Sequence, residues 1–365
     1  MSHINAETDF GLALLKQTKV NESVVLSPLS ISLALALVHA GAERNTKKEI
    51  REALLKGANV TDEELISHYK QLGENVLSSE AVKVLVANRM YIREGFKIHD
   101  AYLDTIKKNY AAKAEVHDFS KGKECADHVN KFVRDVTHEK ITDLVQENTF
   151  DDAVALIVNA VYLDAIWEHV FNSDSTREDD FYVKEGVTTK VQYLSHNEVH
   201  RLYGETDEAQ ILTLKYKDPA FAFTILLPKE KFGLAKLRAN LTGEKLQSML
   251  KSVQSTYINL KFPKFKIEKE LPLNEVLKAI GITDLFSKLS CDLSGIAQDL
   301  YVSEAKHKAV IEVDEEGTKA AAATSISIGL LCLKPQPEIS FEAVYPYVFV
   351  LTHNDAVLFA GQFFG

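Results

Sequence analysis

The chain has 365 residues, 46% of them hydrophobic and 26% charged, an ordinary composition for a globular protein. Its 42 Lys+Arg against 52 Asp+Glu give a formal net charge of -10, which argues against nucleic acid or an anionic membrane as its main partner. Three cysteines, Cys125, Cys291 and Cys332, are far apart and odd in number, so neither a disulfide framework nor a metal quartet is expected, and a reducing compartment is.

The first residues carry Glu7 and Asp9 and lack a basic segment followed by a long apolar core, so a cytoplasmic location is expected. Ser27 is a good helix cap with Pro28 at the first helical position, and Gly41 stops the apolar run that follows. That helix, over 28–40, is apolar nearly all round and belongs inside the molecule. A second helix is expected over 46–55, with Thr46 and Glu49 as a capping box. Strand patterns follow at 82–92 and 153–163. The second of these is too continuously apolar for a one-sided sheet and reads as a central strand covered on both faces. Further strand patterns lie at 211–216, 222–227, 257–267 and 347–364, with a helical patch at 273–280. No linker or repeat divides the chain, so one α+β domain spanning residues 1–365 is expected.

Residues 312–337 break this scheme. Glu315, Glu316 and Gly317 lead into Thr318, Lys319, Ala320, Ala321, Ala322, Ala323 and Thr324, then a Ser/Ile alternation, Leu330, Leu331 and Cys332, closed by Pro335 and Pro337. Taken alone, the alanine run has high helix propensity. Read with a period of two, one face collects Thr318, Ala320, Ala322, Thr324, Ile326 and Ile328, with no charge on it. The other face collects Lys319, Ala321, Ala323, Ser325, Ser327 and Gly329. Such a segment can stay soluble while exposed and can also enter a sheet, which large apolar side chains or inward charges would prevent.

From Glu315 to Thr324 the sequence resembles the hinge of an inhibitory serpin. The likeness covers the whole chain, in family order: 27–32 with Gly41, Ala42 and Thr46; 159–162 with Trp167; 263–265; Gly281, Ile282, Asp284 and Phe286; and 292–296. It implies a fold of three β-sheets and eight or nine helices with an exposed reactive-centre loop at 315–337. It also implies a suicide inhibitor rather than an enzyme, working without a cofactor and as a monomer. In serpins a protease attacks the loop, and the cut loop inserts into the main sheet as an extra strand and carries the acyl-enzyme with it.

Counting fifteen residues from Gly317 inclusive, as the family is counted, puts the scissile bond at Leu331-Cys332, with Leu330-Leu331 and Cys332-Leu333 as neighbouring alternatives. Leu331 suits chymotrypsin-like serine proteases, whereas Leu330 suits papain-like cysteine cathepsins. A non-inhibitory serpin acting as a binding protein or chaperone is the other reading, and the small hinge residues argue against it. The resemblance assigns Ser27, Ser30, Asn159 and His307 to a polar cluster where the main sheet opens. It assigns Glu315, Lys264 and Trp167 to the place where the loop enters. About 14 inserted residues at roughly 0.5–1.5 kcal/mol per hydrogen bond supply on the order of 10 kcal/mol, so the uncut state must be held kinetically.

There are departures. Lys319 stands where an acidic residue is usual, Phe132 where tryptophan is common, and Val344-Tyr345-Pro346-Tyr347 replaces a more polar block. Residues 65–77, matching the heparin-binding helix of some serpins, offer only Lys70 as a strong base, so no heparin partner is expected. Enzyme motifs are absent. His196 and His200 read as an exposed turn, and no metal site is expected.

Overall fold

The computed structural model describes residues 3–58, 60–110, 112–318, 337 and 339–365. Among them are nine α-helices: α1 (His3–Lys16), α2 (Pro28–His39), α3 (Arg44–Leu55), α4 (Asp62–Leu77), α5 (Asp100–Tyr110), α6 (Gly122–Val136), α7 (Leu234–Asn240), α8 (Gly243–Lys251) and α9 (Leu273–Ala279). The strands are β1 (Val24–Leu26), β2 (Val82–Arg93), β3 (Lys113–His117), β4 (Ala155–Ile166), β5 (Arg177–Lys184), β6 (Val187–Glu205), β7 (Ala209–Lys215), β8 (Phe221–Pro228), β9 (Gln254–Pro263), β10 (Phe265–Pro272), β11 (Glu304–Val313), β12 (Gly317–Thr318), β13 (Ile339–Glu342), β14 (Tyr347–His353) and β15 (Ala356–Phe363).

Six strands form the main sheet in the order β10-β11-β4-β2-β3, with β12 also on β4. The other nine run β1-β15-β14-β8-β7-β6-β9-β13, with β5 on β6. That array combines two of the three expected sheets, because the long strands β6 and β9 pass from one part into the other. Their ladder shifts register between His196 and Val199, where Glu198 takes φ 55. His196 and His200 therefore sit within a bulged strand. The sequence expected a turn because a bulge, like a turn, uses polar residues and positive φ.

β4 bears out the central-strand expectation, and its two faces explain the unbroken apolar run. Leu156, Val158, Ala160 and Tyr162 pack with Val129 and Val133 of α6 in one cluster. Val161, Leu163 and Ala165, on the opposite face, join the core between the two arrays. Ile157 packs on the helical core with α2.

Helix α2 is capped as its sequence suggests: the Ser27 side chain accepts from the Ser30 N–H, and Pro28 opens the helix. The capping box at Thr46 does not form. α3 begins earlier, at Arg44 after an N-cap Glu43, and Thr46 instead accepts from the Asp292 N–H at 2.9 Å. Glu49 binds the Thr283 and Asp284 backbone N–H groups, both at 2.8 Å. Tertiary partners took both side chains away from the local motif. A complete capping box occurs at Thr61 and Glu64 of α4. No helix among the described residues is long and apolar enough to cross a membrane.

Candidate functional site

The main sheet has a seam. β11 pairs with β4 in parallel from Glu304↔Leu156 to Val310↔Tyr162. Past Tyr162 the partner of β4 changes. After a turn at 314–316 the chain reverses, and β12 pairs antiparallel with β4 at Gly317↔Ile166 and Thr318↔Ala165. The last turn of β11 keeps its other neighbour, with Val313 opposite Phe265 of β10.

The turn is built by Asp314, whose carboxylate accepts the Glu316 N–H at 3.0 Å and the Gly317 N–H at 3.1 Å. This is a short polar side chain folding its own backbone. Burial nevertheless pushes the Asp314 carboxyl above its ordinary value, outweighing those two bonds. Trp167 clasps the turn from the end of β4: its indole N–H donates to the Asp314 carbonyl at 2.9 Å and its backbone N–H to the Glu316 carbonyl at 2.9 Å. Phe171 donates its N–H to the Glu315 carbonyl at 2.7 Å.

Glu315 points to the rim, where Lys264 lies 2.6 Å from one carboxylate oxygen and the Thr176 hydroxyl donates at 2.7 Å to the other. Partial burial raises the Glu315 pKa, but these two bonds outweigh it and the carboxyl is lowered. Lys264 is 40% exposed, so the ion pair contributes under about 1 kcal/mol. Thr318 is fully buried, and its hydroxyl shares a 2.7 Å hydrogen bond with Tyr216. Tyr216 stacks on Trp167 at 4.4 Å, and burial holds its hydroxyl neutral. At Gly317 an added Cβ would lie 1.9 Å from the Ala165 carbonyl oxygen, so only glycine fits this close approach.

Halfway down the same seam lies a polar row, fully buried at Asn159 and His307. Asn88 of β2 faces Asn159 of β4, and Asn159 faces His307 of β11. His307 is fully buried, and burial lowers its pKa to about 3. The neutral ring has a defined tautomer: Nε2 accepts the Ser27 N–H at 3.2 Å, so Nδ1 carries the proton and donates to Asn159 Oδ1 in a short bond. The Asn159 amide hydrogens are shared among the Ser30 hydroxyl (2.6 Å), the Ser30 carbonyl (2.9 Å) and Asn88 Oδ1 (3.1 Å). Ser27 donates its hydroxyl to the Leu358 carbonyl at 2.6 Å. A bond across the seam thus ties β4 to β11, and serines at the start of α2 support it.

Ser27, Ser30, Asn159 and His307 lie together in this structure, as do Glu315, Lys264 and Trp167. Glu316, Gly317 and Thr318 fill the top of the seam. Ala320, Ala321, Ala322, Ala323 and Thr324, the adjacent Leu330, and Leu331 and Cys332 of the expected reactive bond lie outside the described residues. Sequence reasoning missed Asp314, Tyr216, Thr176 and Asn88. Asp314 carried a usable signal, an Asp three residues before a Gly; the other three are joined to the site only by the fold.

A family model described as "Serpin (serine protease inhibitor)" matches residues 5–365. The chain is similar to a serine protease inhibitor of Cyanea capillata, 34% identical over 93% of this chain and 92% of that one. It is also similar to the leukocyte elastase inhibitor of Equus caballus, 33% identical over 98% of each. Among solved structures, the insect serpin Serpin48 of Tenebrio molitor superposes with a TM-score of 0.87 at 28% identity, covering 100% of this chain and 97% of that one. With its fold, its seam and its whole length accounted for in this way, the chain belongs to the serpin family.

Proposed function

We propose that this protein is a suicide inhibitor of chymotrypsin-like serine endopeptidases, acting as one domain over 1–365 with residues 315–337 as its reactive loop and Leu331-Cys332 as the bond attacked. Serpins of this kind trap proteases and catalyse nothing. The observation that carries the reading is the docking of Gly317 and Thr318 on β4 as the first two residues of an antiparallel strand. Insertion continues that strand downward, between β4 and β11.

The exchange is favourable in kind. It trades a parallel ladder from Glu304↔Leu156 to Val310↔Tyr162 for two antiparallel ones, which are slightly more stable per residue. The His307–Asn159 bond is the latch that must break on the way. Small polar groups suit this role, since Ser27, Ser30 and Asn88 can take up the freed donors and acceptors, whereas an apolar contact only opens or closes. Glu315, Lys264 and Thr176 steady the turn about which the loop swings.

The test is incubation with chymotrypsin, with cathepsins of the papain class in parallel. A complex that survives SDS, a cut mapped by mass spectrometry to Leu331-Cys332, and a large rise in melting temperature after cutting are expected. Free cleaved product with an unchanged melting temperature refutes inhibition and leaves a binding or chaperone role. Trapping of the cathepsin alone refutes the serine-protease assignment.

A further inference from the structure

Away from the loop and the seam, three side chains converge with the chemistry of a metal site. Glu115 and His117 are two apart on β3 and so share a face of that strand. His128 comes from α6, which packs on the same sheet. Glu115 Oε2 lies 3.1 Å from His128 Nε2 and 3.3 Å from His117 Nε2, and all three ligand atoms lie within 4.8 Å of one another. A tetrahedral zinc ion with bonds of about 2.05 Å separates its ligand atoms by about 3.3 Å, so the two distances, which are His–Glu hydrogen bonds without an ion, are already of the length an ion would span. The imidazole rings are 4.6 Å apart, and His128 is 46% exposed, which leaves a path for an ion and room for a water as fourth ligand.

The side chains are held by regular structure. Glu115 and His117 stand opposite Tyr91 and Arg93 of β2, while Val129 and Val133 anchor α6 in the core. Arg89 binds the other carboxylate oxygen, Oε1, at 3.0 Å, and its guanidinium lies over the Phe132 ring at 3.6 Å. It orients the carboxylate with Oε2 toward the two imidazoles, and its positive charge is the main term opposing an ion. Two imidazoles and one carboxylate favour zinc or a neighbouring transition ion over magnesium or calcium, which prefer all-oxygen sites.

We propose that Glu115, His117 and His128 form a binding site for a divalent transition-metal ion, zinc by its chemistry, which fastens α6 to the edge strand β3. The consequence for the fold is specific. α6 packs over β4 and Val310, and the segment after it reaches across the seam, where Lys308 of β11 donates to the Asp143 carbonyl at 3.1 Å. An ion joining α6 to β3 therefore stiffens the cover of the seam. Ion binding does not depend on the inhibitory reading and is tested without a protease.

The experiment titrates the uncut, full-length protein, stripped of metal, with zinc chloride by calorimetry, and with cobalt(II) by its visible absorption. One ion per chain is expected, with affinity falling at least about tenfold in His117→Ala and in His128→Ala and the cobalt band lost in both. A second cluster, His3, Glu7 and His68, is the internal control, and His68→Ala is expected to retain binding. Circular dichroism checks that each variant is folded, with Glu115→Gln replacing any that is not. No binding at about 1 mM zinc, or binding that persists within tenfold in the His128 variant, overturns the proposal.

Discussion

Thr318 offers the sharpest test of the insertion mechanism, because its side chain is fully buried and bonded to the equally buried Tyr216. Thr318→Ser keeps the hydroxyl and should behave as wild type. Thr318→Val keeps the shape and leaves the Tyr216 hydroxyl unpaired, which costs about 1–3 kcal/mol. Thr318→Arg cannot hold a guanidinium in the closed space beside Tyr216 and Trp167, so the uncut protein releases Gly317 and Thr318 from β4, and the charge must enter that space as the strand forms. Burying an unpaired charge costs several kcal/mol. Taking about 3 kcal/mol of this in the insertion barrier slows that step about 150-fold. Hydrolysis of the acyl-enzyme is untouched, so the competition shifts from trapping to turnover. The assay is the stoichiometry of inhibition against chymotrypsin, with the complex and the cleaved product quantified on a denaturing gel. Serine, valine and arginine should fall in that order, with arginine almost wholly a substrate. If Thr318→Arg traps the protease with wild-type stoichiometry, the docked hinge is not the start of insertion.

Two more outcomes follow from the same geometry. Gly317→Ala should undock β12, since its Cβ would meet the Ala165 carbonyl oxygen at 1.9 Å and the strands must part by more than 1 Å on any ordinary contact distance; a new protease-sensitive site at the hinge is the readout, and unchanged susceptibility contradicts the close approach. For His307, the folded value of about 3 lies below the ordinary 6.5, so the unfolded chain binds more protons as the pH falls between them. Stability is full above about pH 6.5 and is lost progressively toward about pH 3, by on the order of several kcal/mol. His307→Gln can still accept from Ser27 and donate to Asn159 without titrating, so its unfolding free energy by denaturant should vary less with pH over that window. An identical slope in both proteins contradicts the assignment.

Much of this protein is legible in its sequence for local reasons. The α2 cap and the two-faced burial of β4 are properties of neighbouring residues and their periodicity, which backbone geometry converts directly into structure. The order of the family blocks told which fold those elements build. Other features depend on distance along the chain. Thr46 and Glu49 match a capping box locally but are claimed by Asp292, Thr283 and Asp284, more than two hundred residues away. Lys70 looked solitary on its helix, yet it lines one cavity of about 360 Å³ with Arg89, Lys107, Lys108 and Lys113.

The opening counts of charge and cysteine set limits without locating any site. A net charge of -10 does not reveal that Glu115 faces two histidines, because β3 and α6 meet only when the sheet is covered. The sequence by itself determined that one face from Thr318 onward is small and uncharged, a pattern that suits a strand wherever it occurs. Only the tertiary structure decided where that strand begins, since the seam between β4 and β11, the Asp314 turn and the pocket of Tyr216 and Trp167 exist as contacts between elements far apart in the chain.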